Sequence, residues 1–223
     1  MSVYGASFVQ AGGDGPGRFA GTCRLVREKN ARWLAASPTN VTTEHTVRIS
    51  DGAGWVSIQN AIDDELLRQL SVDLDTTALT IHACDEKILS FSYTHVDRGR
   101  TLRALAHADN QRPDGNGAWT TVAGEREAWE SVLFSPRLMD LYRKYAPGEV
   151  ADACRDQTIK IGQWIPWACD GSVVREIVER LQLPWNPYED SFPPAAQTEV
   201  IPGSPERWNA LHRSPRKPWW KLW

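Results

Sequence analysis

The sequence predicts an α+β fold, with an antiparallel β-meander, helices packed on one face of it, and an extended Pro/Trp-rich C-terminal arm. Three observations carry this expectation. Between Ala78 and Ala108, residues of opposite polarity alternate, with Leu79, Ile81 and Ala83 set against Thr80, His82 and Cys84. A period of two over this length marks strands with one buried face. Beyond Glu125 the apolar residues recur at helical spacing instead, and strands first with helices later is the α+β order. Finally, eight of the fourteen prolines fall in the last forty residues, which excludes regular elements from most of that segment.

The elements follow in chain order. Ser2–Gln10 is an apolar first strand, followed by the Gly-rich run Gly12–Gly17, read as a flexible turn. Cys23–Ala36 has helical spacing and stops at Ser37-Pro38. His45–Ser50 and Trp55–Gln59 flank Asp51-Gly52-Ala53-Gly54, a hairpin signal. Asp63 or Asp64 caps a helix whose stripe is Leu66, Leu67, Leu70 and Leu74. The meander then turns at Asp85-Glu86-Lys87 and at Asp97-Arg98-Gly99, and Ala118–Ala123 adds a further strand. Helices are expected over Glu125–Phe134, Pro136–Tyr145 and Ser172–Leu183, the last stopped by Pro184. This gives a single domain over 1–183 and an arm over 184–223, pinned to the domain by Trp185, Tyr188, Phe192 and Trp208.

Charge and composition narrow the functional classes. The 223 residues carry a formal charge of −3. Residues 206–223 hold Arg207, Arg213, Arg216, Lys217 and Lys221 against Glu206, a net +4, which leaves −7 on residues 1–205. An acidic body repels phosphate, so nucleic acid is not an expected partner. No run reaches the length of a membrane span, and three aromatics with three cations give only marginal, reversible membrane attachment. Cys23, Cys84, Cys154 and Cys169 show no C-x-x-C spacing, and the start of the chain has no basic, apolar leader; both point to free thiols in the cytoplasm.

Candidate chemistry is sparse, and neither a cofactor nor a metal is expected. With the two meander turns centred at Glu86 and Arg98, His82 sits opposite Ser90, His95 opposite Thr101 and His107 opposite Leu89. His95 and His107 then share a face but stand six residues apart, about 20 Å, too far for one zinc ion. His82 and Cys84 share the other face of their strand and are where a catalytic pair would be sought, although Asp85 and Glu86 would raise the thiol pKa. Asp73-Leu74-Asp75-Thr76 reads as a polar helix exit. Glu125, Glu127 and Glu130 lie beside Trp129 and Arg126 in a first helical turn, where carboxylates favour the macrodipole, and read as a solvated face.

The eleven tryptophans must be placed. Trp33, Trp55, Trp119 and Trp129 fall within expected elements and read as core. At the terminus, Trp219, Trp220 and Trp223 alternate with Arg216, Lys217 and Lys221, a binding set that docks on the chain's own domain or on another protein. At least one of the three tryptophans is expected to be buried against residues before 184. The leading functional expectation is a non-enzymatic cytoplasmic protein-binding module, of which a bacterial immunity or antidote protein is one instance. A second is a small-molecule enzyme or ligand-binding domain with a pocket between sheet and later helices, lined by His82, Cys84 and Trp129. A third is a homo-oligomeric scaffold subunit assembled through its tail.

Overall fold

A computed structural model describes residues 3–11, 15–36, 45–59, 62–85, 89–166, 171–187, 192 and 194–203. Its centre is an eight-stranded antiparallel sheet of β1 (Val3–Gln10), β2 (His45–Gly52), β3 (Trp55–Gln59), β4 (Thr77–Asp85), β5 (Leu89–Asp97), β6 (Arg100–Ala108), β7 (Ala118–Gly124) and β8 (Gln197–Gly203). The strands lie side by side in the order β7-β6-β5-β4-β1-β3-β2-β8. The helices are α1 (Gly15–Ala36), α2 (Asp64–Asp73), a 3-10 helix (Ala128–Phe134), α3 (Pro136–Tyr145), α4 (Pro147–Asp156) and α5 (Gly171–Arg180). The class is α+β, as the alternation and the strand-then-helix order imply.

The helices, expected on one face, divide between both. The reason lies in β1 and β4, whose two residue sets are both buried. Ala6, Phe8, Leu79 and Ile81 join Trp129, Val174 and Ile177 on one side. Val9 and Ala78 join Phe19, Leu66 and Leu70 on the other. Thr80 and His82, read as members of a polar face, are only 4% and 7% exposed. Burial is tolerated at Thr80 because polar partners are supplied: Ser7 Oγ donates to Thr80 Oγ1 at 2.9 Å and accepts from the Ile62 amide at 2.9 Å.

Local signals account for most boundaries. Asp63 caps α2 by accepting from the Leu66 amide at 2.7 Å, a contact typically worth about 1 kcal/mol. Leu66, Leu67 and Leu70 on its inner stripe are fully buried, each contributing roughly 1.5–3 kcal/mol. Both β2–β3 and β5–β6 close through two-residue turns, Ala53-Gly54 and Arg98-Gly99, with all four φ positive, the mirror-image turn that suits strand twist.

Three further expectations are corrected, and one helix appears where no element was expected. Gly15, Pro16 and Gly17 form the first turn of α1 rather than part of a flexible turn, since proline is tolerated where helical amides are unpaired anyway. The stretch 147–156 forms α4, which opens on a proline for the same reason. Residues 197–203, expected in an irregular arm, form β8 and pair with β2 from His45↔Gly203 to Asp51↔Gln197. Pro202 is compatible with this because β8 is an edge strand. The meander register also differs: Asp85 pairs with Leu89, and a bulge falls between His95 and Val96.

Candidate functional site

The corrected register decides where each candidate stands. His82 lies opposite Ser92, Cys84 opposite Ser90, His95 opposite Arg103 and His107 opposite Phe91. His95 and His107 do share a face, but they are four residues apart along the sheet, about 13 Å. Among the described residues no group of three or more His, Cys, Asp or Glu could hold a metal ion. His82 and Cys84 alternate with Ile81 and Ala83, which pack beside Trp129. They therefore occupy the face opposite Trp129, and the three do not line one pocket. Cys23, Cys84 and Cys154 are free thiols, and burial pushes the Cys23 thiol up against the opposing effect of Arg27. Asp73 ends α2 and Asp75 follows it in a left-handed conformation, accepting from Arg98 at 2.9 Å, which is the expected polar exit. Trp119 and Trp129 are core residues, at 0% and 3% exposure, and Trp55 packs at the core edge. The side chain of Trp33, and the whole binding set Arg216, Lys217, Trp219, Trp220, Lys221 and Trp223, lie outside the described residues.

What the structure does bring together is a polar network at the junction of β5, β6, β7 and the 3-10 helix. Arg103 shares the parity of Leu105 and His107, so its cation points into the core. Glu130 meets it there in a two-pronged pair, Nε to Oε1 at 2.8 Å and Nη2 to Oε2 at 2.8 Å. Their side chains are 5% and 0% exposed. Burying two charges this deeply requires that the remaining donors and acceptors also be used. Arg103 Nη1 donates to the Gly124 carbonyl at 2.8 Å, and Glu130 Oε1 also accepts from the Glu127 amide at 2.8 Å.

Glu127 is the second hub. Its carboxylate accepts from Tyr93 Oη at 2.6 Å, from Trp129 Nε1 at 2.8 Å, and from His95 Nδ1 at 2.6 Å. Burial alone would raise the Glu127 carboxyl; the bonds and charge supplied by His95, with those of Tyr93 and Trp129, reverse this and hold it below its ordinary value. Burial, followed by the negative charge and hydrogen bond of Glu127, pushes the Tyr93 hydroxyl well above 10. The solvated-face reading holds for Glu125, which is exposed, and fails for Glu127 and Glu130. The signal that would have found Glu130 is Arg103: a cation in an inward-facing strand position needs a carboxylate.

This network fastens one end of β7. Gly124, opposite Arg103, has φ +81°, and a Cβ there would lie 1.9 Å from the Leu102 carbonyl oxygen, so glycine is required where the chain leaves the sheet. The other end is fastened by Trp119. Its indole donates to the Pro166 carbonyl at 2.8 Å, while its backbone pairs outward with residues 162 and 163 at 2.9 Å each. That segment is braced in turn, since Glu149 accepts from the Trp164 amide at 3.0 Å and forms an ion pair with Arg112. His107 packs edge-on against Trp119 and contacts the Trp164 carbonyl through Nε2 at 3.1 Å. Because a carbonyl only accepts, Nε2 carries the proton, and Nδ1 is buried without a partner among the described residues. Burial lowers the His107 pKa to about 4, despite the opposing Trp164 bond and Asp109.

Between these fastenings Thr120, Thr121, Ala123 and Gly124 are exposed. β7 is an edge of the sheet, and among the described residues no strand pairs with its outer side beyond Trp119. The stretch Thr120–Gly124 contains no charge and no proline, the usual devices that blunt an edge. The other edge does carry them, with Glu199 and Pro202 in β8. Among the described residues β7 is thus an unpaired template for one more strand, fastened at both ends.

No protein-family model, no curated protein and no solved structure matches this chain. No described helix is long and apolar enough to cross a membrane.

Proposed function

We propose that the protein is a non-enzymatic, cytoplasmic protein-binding module that engages its partner by strand addition at β7. The observation that supports this reading is the state of that strand: uncharged, without a pairing strand on its outer side among the described residues, yet held at both ends by Trp119 and by the Arg103–Glu130 pair. Strand addition draws affinity from main-chain hydrogen bonds, and a template already fixed in place loses little entropy on binding. A bacterial immunity or antidote protein, which neutralises another protein by covering it, is one instance of such a module. The test is a pull-down from the native cell with wild-type protein and with T121K/A123K. The reading expects a discrete protein that is captured by the first and lost with the second. Identical capture by both folded baits would sink it.

A second reading, a ligand-binding or enzymatic site, has one observation in its favour. His95 and Glu127 are each about a fifth exposed (20% and 19%), and Nδ1 of the histidine is engaged by the carboxylate, which leaves Nε2 as the ring nitrogen open to a ligand. That reading replaces His82 and Cys84 with His95 and Glu127 as the pair to mutate. It predicts that His95→Gln abolishes binding of a small molecule while leaving capture through β7 unchanged.

A further inference from the structure

We infer that the strand added to β7 is β7 of a second copy of this chain, related by a two-fold axis through Val122. The inference rests on the reading of β7 as a docking edge and names its occupant.

Antiparallel self-pairing about Val122 places Thr120 opposite Gly124 of the partner subunit and Thr121 opposite Ala123 of the partner subunit. On the axis Val122 faces its own copy, so a charge at that position would meet a like charge. The stretch Thr120–Gly124 has none, and its exposed side chains are small, which lets two backbones approach to strand spacing. Both ends of the free stretch are bounded in a mutually compatible way. The outer edge of Trp119 is already occupied by residues 162 and 163, so an incoming strand must leave the sheet there. In this register the residue arriving opposite Trp119 is Glu125 of the partner subunit, just past Gly124, whose left-handed conformation turns the chain away.

Charge agrees with the same register. Glu125 is exposed and forms no ion pair among the described residues. Across the axis it approaches the turn 160–163, which presents Ile161, 67% exposed, and exposed Lys160, whose ammonium bridges Asp156 of its own chain. Each copy thus offers a carboxylate unpaired among the described residues at one end of β7 and, at the other, an apolar side chain beside an ammonium that Glu125 would share with Asp156. An antiparallel two-fold brings those unlike ends together twice. A five-residue ladder lies at the small end of interfaces, below about 1,200 Å², so the dimer is concentration-dependent rather than permanent.

Sedimentation velocity on the full chain tests this from about 1 µM to about 1 mM. The wild type is expected to move from a 25.0 kDa species toward twice that mass as concentration rises. T121K/A123K sets lysines against lysines and should weaken association about tenfold or more. T121K/A123D sets each lysine against an aspartate of the other copy and should restore it. Val200→Lys, on an exposed position of the opposite edge strand, should change nothing. Circular dichroism confirms that all four chains are folded. A wild type that stays monomeric throughout, a T121K/A123K protein that dimerises as well as wild type, or a T121K/A123D protein as weak as the double lysine would each overturn the inference. A monomeric wild type that still loses a captured protein on T121K/A123K would leave the docking edge standing and remove only the second copy as its occupant.

Discussion

Replacing Glu130 with alanine leaves the Arg103 guanidinium in the core with its main counter-charge gone. The pair is about as buried as an ion pair can be, at 5% and 0% side-chain exposure, and water cannot take the place of the carboxylate without opening the layer between β6 and the 3-10 helix. Two charge-assisted bonds of 2.8 Å are lost together, as is the bond from Glu127 N to Glu130 Oε1 that anchors the start of that helix. Removing one partner of a buried pair costs about 3–5 kcal/mol, whereas an exposed pair costs about 0–1. For a chain of this size each kcal/mol shifts Tm by about 2–4 °C, so Glu130→Ala should lower it by roughly 6–20 °C. Urea unfolding at constant m-value measures the loss directly. The pairwise part is isolated by a cycle with Arg103→Met, in which the double variant R103M/E130A should cost clearly less than the sum of the two single variants, because no charge then remains buried. A cost below about 1 kcal/mol for Glu130→Ala would show that the pair is solvated in solution, and the account of how β7 is held would fall with it.

Two further outcomes follow from the same layer. His107 is held neutral with a pKa of about 4 against an ordinary 6.5, so the unfolded chain binds the proton more readily than the folded one. Its contribution is complete above about pH 6.5 and is lost as pH falls toward 4, amounting to about 3 kcal/mol in full and about 2 by pH 5. Urea midpoints from pH 7.5 to 5 should show that slope and His107→Gln should flatten it; equal slopes would contradict the buried neutral ring. Gly124→Ala places a Cβ against the Leu102 carbonyl in a left-handed conformation and should destabilise the fold by more than about 2 kcal/mol, read as a drop in urea midpoint. An alanine tolerated there would mean that β7 ends differently.

How much of this was legible depended on which physical signal each feature leaves in a one-dimensional pattern. The strands of the meander announced themselves because alternation is a property of single side chains, and α2 because Asp63 and its leucine stripe are local. The register did not, because it depends on a two-residue turn and on a bulge between His95 and Val96, which leave no trace in polarity. β8 was hidden by its proline-rich surroundings, since pairing with β2 across most of the chain outweighs a propensity that counts neighbours only. Glu127 and Glu130 look the same as surface acids in a first helical turn. Only the bonded relation of Glu130 to Arg103 and of Glu127 to Tyr93 and His95, set by the parity of strands more than twenty residues earlier, distinguishes them.

That relation also explains why the network and the open edge belong to one device rather than two. Exposed edge strands fray, and a frayed edge gains order only when a partner arrives, which weakens binding by the entropy of ordering. In β7 that ordering is already present in the unbound chain. Arg103 fixes the Gly124 carbonyl from beneath, and the Trp119 indole fixes the far end through Pro166, so both side-chain anchors lie on the buried side and, among the described residues, no strand covers the outer side of Thr120–Gly124. A strand needing only to complete the core could have carried a charge or a proline along its length, as β8 does in Glu199 and Pro202. The cost of placing an arginine and a glutamate in the core becomes intelligible once the strand they hold has work to do on its other edge. Amide hydrogen exchange makes the coupling measurable, because Glu130→Ala should raise exchange at Val122–Gly124 and weaken association together. If exchange rises while association is unchanged, β7 is not the surface that binds.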